Sequence, residues 1–340
     1  MNNQSQSNST APIDFTQMLL ANLQVNKYTD ALYVYLVVPM GSLGSLFNLL
    51  SFLIFCKKSF DTIPLFKYLK VYTLASLIVS VSLIFVFNLA PYTFPAVLLA
   101  YTTRIYVCKI LASFVTSFFF FFENSLDVFI NLERALCFGT GFREFKKVSP
   151  YVISLLLFFL CVLINGPVYF VYDIVEDSQL PSVLRICKLT QFSKSSFGKL
   201  FLMISYMLQG PVLLICVIGS NIIALISFRR FLKRKAQLQA QTPIENETKA
   251  QKKKRIQDEK TNKKLFFMTF YLSIFSVLNH LMVFTSQFII FILTMSPSVT
   301  AWIVFIYIFN FAFKNLMNIF FFYNFNKQFK NSLLSYFKKS

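Results

Sequence analysis

Seven long apolar runs, separated by loops rich in Lys and Arg, leave this chain few ways to fold. Inside lipid no water reaches the backbone, so its N–H and C=O groups must pair within the segment, as in a helix. A hydrocarbon core of about 30 Å takes roughly 20 helical residues. The runs are that long, and we place spans near 31–56, 68–92, 107–136, 149–172, 197–228, 265–293 and 300–322. The chain is 56% hydrophobic and contains 44 Phe, more apolar surface than a soluble domain can hide. The expected fold is an all-α membrane protein: a seven-transmembrane helix bundle over 31–323. A disordered extracellular segment, 1–30, precedes it, and a short amphipathic cytoplasmic tail helix, 324–340, follows.

A net charge of +19 can signal nucleic acid, but here it does not. The charge lies in loops and at span ends, as the orientation of membrane helices requires. On these boundaries the side expected to be cytoplasmic holds 25 of the 33 Lys and Arg, the other side 7, and Lys314 lies inside a span. The N-terminus is therefore expected outside, the C-terminus inside, and the location is the plasma membrane. Residues 1–26 are polar, with no basic and apolar leader pattern, so the first span is expected to act as its own insertion signal. Asn3 and Asn8 begin glycosylation sequons on the outer side; Asn246 begins one on the inner side, where it stays bare.

The stretch from Tyr172 to Lys199 reads as a long outer loop, acidic in its first half and basic in its second. The inner loop 229–264 carries 13 Lys and Arg. Its basic ends, Arg229–Lys235 and Lys252–Arg255, are expected to extend spans five and six as charged helices facing membrane lipids and an acidic partner. Phe325, Phe329, Leu333 and Phe337 recur every four residues among lysines, the pattern of a helix lying on the inner leaflet. Cys108 and Cys187 both fall on the oxidising side. They are either a bridge pinning the outer loop over the bundle or two unrelated thiols.

Span three carries Glu123, Asp127, Asn131 and Arg134 at steps of four, four and three, along one helix face. Span seven carries Asn310, Lys314 and Asn318 at steps of four. Ionisable groups at that depth need partners. Lys314 is expected to pair with Glu123, or equally with Asp127 one turn deeper, as a switch or as structural glue. Arg134, directly after Glu133 at the end of span three, read by itself snorkels at the membrane edge. His280, the only His, sits beside Asn279 in span six, as a hydrogen-bonded core residue or as a ligand contact. No nucleophile–base pair, phosphate loop or metal spacing is visible, so neither an enzyme nor a cofactor is expected.

Taken in order along the chain, these residues resemble a divergent rhodopsin-like (class A) G-protein-coupled receptor over roughly 30–335. Asn48 matches the family's helix-one Asn, and Cys108 with Cys187 its helix-three-to-loop disulfide. Glu133-Arg134-Ala135 matches its Asp-Arg-Tyr motif, and Pro167 and Pro211 its helix-four and helix-five prolines. Asn326–Lys330 resembles the start of its eighth helix. The departures are as clear. Ile78 stands where the family has its sodium-binding Asp, and helices four and six lack their Trp residues. The helix-seven Asn-Pro-x-x-Tyr becomes Asn318-Ile319-Phe320-Phe321-Phe322.

The resemblance implies a receptor that senses an extracellular ligand and activates a heterotrimeric G protein through Glu133 and Arg134. It places Glu123 and Lys314 on the lining of the sodium pocket, where a fixed ammonium would replace the ion and make an Asp at Ile78 unnecessary. Thr116 occupies the position of the amine-binding Asp, and Lys314 is out of register with the opsin lysine, so neither a monoamine receptor nor an opsin is implied. The mixed-charge loop suits a neuropeptide. The competing readings are a chemosensory receptor of the same fold and an ion-coupled transporter or channel using Glu123, Asp127 and Lys314.

Overall fold

The computed structural model describes residues 31–87, 115–138, 148–170, 172–176, 185–240, 271, 274–282, 284–285 and 297–337. Helix α1, Val38–Phe55, follows a π-helical turn at Tyr33–Val37. Then come α2, Pro64–Phe87, α3, Thr116–Phe138, and α4, Pro150–Asn165, with Pro150 in the first turn of α4, where no N–H is needed. Helix α5, Ser196–Met207, runs through a π-helical turn, Leu208–Val212, into α6, Leu213–Ala240. Pro211 lies in that turn, and its missing N–H accounts for the locally widened ladder. Residues 274–282 are helical, followed by α7, Pro297–Phe325, and α8, Lys327–Phe337.

Among the described residues four helical stretches are long and apolar enough to cross a membrane: Tyr33–Phe55, Pro64–Ile84, Ser196–Arg234 and Phe305–Asn324. Helix α4 is as apolar but spans only 16 residues. Helix α3 falls outside this group, because Glu123, Asp127, Glu133 and Arg134 lower its hydropathy. Outward faces are apolar too: Leu43, Leu46 and Leu53 of α1, Leu155, Phe159 and Leu163 of α4, and Ile215 and Ile222 of α6 are all exposed. A surface of that kind marks a membrane protein rather than one bathed in water.

Helix α2 packs against α1, α3 and α4, α6 packs on α3, and α7 returns to α1. Small residues permit the closest approaches. A Cβ on Gly41 would sit 3.2 Å from Ile84 Cγ1 and 3.3 Å from the Ser80 carbonyl oxygen, and one on Gly44 3.3 Å from Ser80 Oγ. Asn48 extends the α1 seam, donating to the carbonyls of Gly44 at 2.9 Å and Asn315 at 3.2 Å, which ties α1 to α7.

As expected, the basic segment from Arg229 to Lys235 continues α6 as a helix, which ends at Ala240. Two expectations need amendment. The expected all-α fold contains a hairpin in the Tyr172–Lys199 loop: Tyr172–Glu176 (β1) and Arg185–Leu189 (β2) pair antiparallel, with Ile174 opposite Cys187, so the chain is not purely helical. Helix α7 passes the expected boundary and ends at Phe325.

The tail helix departs most. Asn326 caps it by accepting from the Phe329 N–H at 3.0 Å. Phe329 and Leu333 then turn into the protein, among Phe55, Phe60 and Phe322, rather than toward a leaflet. Lys57 secures the other end, lying 3.4 Å from the Ser332 carbonyl and 4.0 Å from the Tyr336 ring centroid. The second basic cluster, the N-terminal sequons at Asn3 and Asn8, and Asn246 lie outside the described residues.

Two substitutions test this packing. Gly44→Val should push α1 off α2 and cost about 1–3 kcal/mol, as overpacked cores do. Phe329→Ala should cost about 3–5 kcal/mol by leaving a cavity. Both should lower the thermal unfolding midpoint in lipid nanodiscs, while Leu163→Ala, on an exposed face, should leave it nearly unchanged.

Candidate functional site

The polar stripe predicted along span three is present and turned inward. Glu123 is 0% exposed and Asp127 14%, and Asn131 and Arg134 are buried below them. Opposite stands Lys314 of α7, 3% exposed. Its Nζ donates to Asp127 Oδ2 at 2.9 Å and to Asn124 Oδ1 at 3.1 Å. It also lies 3.0 Å from Glu123 Oε1, an ion contact whose angle is not that of a hydrogen bond. The choice between Glu123 and Asp127 is thereby settled: one ammonium holds both carboxylates. Tyr72 of α2 closes a third side, its ring centroid 5.5 Å from Nζ, and the Phe311 ring lies 6.0 Å away on α7.

Helical periodicity builds this cluster. Glu123 and Asp127 are four apart and share a face, so a single side chain from α7 spans both. Asn124 and Asn315, each next to a charged residue, were missed by the sequence reading; a step of one residue on a helix shifts the face only part-way, and both still reach the interior. Asn124 and Asn315 are buried. Tyr72 was missed because an aromatic in an apolar span carries no signal of its own.

Ile78 is only half-buried; the inward face of α2 is Tyr72, Ala75, Ser76, Val79 and Ser80. The explanation that Lys314 makes an Asp at Ile78 unnecessary therefore fails, since that side chain is not on the buried face.

One turn toward the N-terminus of α7, Asn310 donates to Asn279 Oδ1 at 2.7 Å, tying α7 to the helical residues 274–282. His280 Nδ1 lies 2.7 Å from the Ser276 carbonyl. A carbonyl only accepts, so Nδ1 carries the proton and Nε2 is a bare acceptor, buried and with no hydrogen-bond partner. Asn318, one turn toward the C-terminus from Lys314, is buried, with its Nδ2 likewise without a partner.

At the C-terminal end of α3, Arg134 is buried and its Nη1 donates to Asn131 Oδ1 at 3.2 Å. It folds into the protein instead of snorkelling outward, and Glu133 beside it is also buried. Thr116 begins α3. Cys187 lies on β2, while Cys108 lies outside the described residues, and the bridge with it. A further polar group, absent from the sequence reading, joins α4 to the α5–α6 bend: Gln209 Nε2 donates to Asn165 Oδ1 at 2.9 Å and to Ser205 Oγ at 2.8 Å, all buried. Its only sequence signal was the neighbouring prolines, Pro167 and Pro211.

No protein-family model matches the chain, and no curated protein matches it.

Breaking a buried ion pair by removing one partner costs about 3–5 kcal/mol, because the other charge stays behind unmatched. Lys314→Met, which takes the only counter-charge in the cluster from its carboxyl groups, should lower stability by that order. Asp127→Asn, which leaves one carboxylate for one ammonium, should cost less. Thermal midpoints of the two single variants and the double variant, measured in nanodiscs, should show strong non-additivity.

Proposed function

We propose that the chain is a seven-span receptor of the rhodopsin-like kind, with its N-terminus outside, that senses an extracellular neuropeptide and activates a heterotrimeric G protein. The observation that carries this reading is the construction of α3. One continuous helix holds an ion cluster at Glu123 and Asp127 and, toward its C-terminal end, the inward-folded Glu133–Arg134 pair, with Arg134 about 16 Å from Glu123 along the axis at 1.5 Å per residue. A ligand that shifts α7 against α3 alters the contacts of Lys314, and the rigid helix carries that shift to Arg134. The unpartnered His280 Nε2 and Asn279 Nδ2, above the cluster, are groups a ligand can engage from the outer side. Helix α8 and the basic extension of α6 give the inner face the positive charge that suits anionic lipid and an acidic partner. A chemosensory receptor of the same fold differs from this only in its ligand.

The same buried charges favour a second reading, an ion-coupled transporter or channel, in which Glu123, Asp127 and Lys314 line the path. Nucleotide exchange on purified G proteins separates the two. Membranes bearing the chain should accelerate exchange when a cognate peptide from a library is added. Arg134→Ala should abolish the response at unchanged surface expression. No exchange from a well-expressed chain, together with ion flux in reconstituted vesicles that is lost in Lys314→Met, would give the transport reading instead.

A further inference from the structure

Charge does not balance at the centre of the protein. Lys314 brings one positive charge to a cluster where Glu123 and Asp127 bring two negative ones, all within 3.0 Å of a single Nζ. A net charge held away from water costs several kcal/mol, so the cluster needs one more positive charge. The two carboxylates are not equivalent. Asp127 accepts a 2.9 Å hydrogen bond from the ammonium and retains some exposure. Glu123 is fully buried, and its two oxygens make no well-aligned hydrogen bond, although Lys314 Nζ lies 3.0 Å from Oε1 and the Tyr72 hydroxyl is a second donor facing the carboxylate. Asn124, whose Oδ1 accepts from Lys314, presents a buried Nδ2 with no acceptor in the same cluster. Wholly buried polar atoms without well-aligned hydrogen bonds inside a charged cluster mark a place where something binds.

We propose that this cluster is an intramembrane proton-binding site, with the proton carried on Glu123. The carboxylate takes a proton from hydronium and becomes a neutral acid: the donor's O–H bond breaks, an O–H bond forms on the carboxylate, a water molecule is released, and the cluster passes from net negative to neutral. Asp127 and Lys314 then remain as a matched, hydrogen-bonded pair. The site stands whether or not the chain is a receptor. Its neighbours are consistent with Glu123 as the carrier. Tyr72 on α2 faces both Lys314 and Glu123, to which its hydroxyl can donate, and Tyr307 on α7 lies within electrostatic reach of Lys314. His280 is the other candidate for the proton, within reach of Lys314 and Asp127, but no described carboxylate forms an ion pair with it, and its Nδ1 is engaged by Ser276. Deprotonating Glu123 sets a second negative charge beside Lys314 and changes how α3 holds α7, so the local proton activity tunes the contact between the two helices.

The test is infrared spectroscopy of the full-length chain in lipid nanodiscs at neutral pH, read at the carbonyl stretch of protonated carboxylic acids and identified by its shift in heavy water. Wild type should show the band, and Glu123→Gln, neutral and of equal size, should lose it. Asp127→Asn should lose it too, because Glu123 then becomes the only counter-charge of Lys314 and ionises. Lys314→Gln should show twice the wild-type intensity, and this arm decides the matter if Glu123→Gln does not fold. Glu133→Gln controls for the other buried carboxylate and should keep the band. A wild type without the band, its surplus charge met by an imidazolium at His280, would overturn the proposal. So would a band that persists in Glu123→Gln, or one that disappears when potassium is exchanged for sodium.

Discussion

One ammonium group organises the interior. Lys314 cannot reach water, and a buried charge is tolerable only when paired and hydrogen-bonded. Asp127, Asn124 and Glu123 meet that need from α3, and the Tyr72 ring faces it from α2. Three helices are thereby brought to one point. Electrostatic attraction strengthens as the surroundings lose polarity, so the cluster holds α7 to α3 in a medium where apolar packing alone does not discriminate protein from lipid. With α7 placed there, Asn48 can bond the Asn315 carbonyl and join α1. At the C-terminal end of α7, Phe322 meets Phe329 of α8.

Two kinds of interior share this protein. Around Phe55, Phe60, Phe322 and Phe329 the rings meet edge to face or tilted, with centroids about 5 Å apart, an arrangement aromatic quadrupoles favour. That region is well matched and has few alternatives. Along α3 and α7 the opposite holds. Glu123, Asn124, Asn279, His280, Asn315 and Asn318 all carry buried side-chain atoms without a well-aligned hydrogen bond. An incompletely satisfied polar network has more than one arrangement of similar energy. Rearrangement is therefore expected along this seam, while the aromatic region holds the C-terminal ends of α1 and α7 to α8.

Much of the site was legible because helices repeat. The steps Glu123, Asp127, Asn131 and Arg134, and Asn310, Lys314 and Asn318, place each row on one face whatever surrounds it, and both rows are where the spacing put them. Partner choice was not legible. Whether Lys314 meets Glu123 or Asp127 depends on how far α7 slides along α3, a rigid-body quantity with no local signal. The same ignorance made Ile78 look like an inward position and made Phe329 look like a lipid-facing one. An apolar residue facing lipid and one facing protein have the same chemistry, so only packing tells them apart.

By itself the sequence determined that the chain builds long apolar helices with basic connections, because backbone groups in lipid have no alternative partners and the runs have the length to comply. It also determined which residues share a helix face, because 3.6 residues per turn is a property of the backbone. Tertiary structure alone decided that two carboxylates converge on one lysine, that α8 docks into the protein, and that Gln209, Asn165 and Ser205 meet at the α5–α6 bend. Each of these depends on the relative position of separate helices, which is set by the sum of many contacts far apart in the chain.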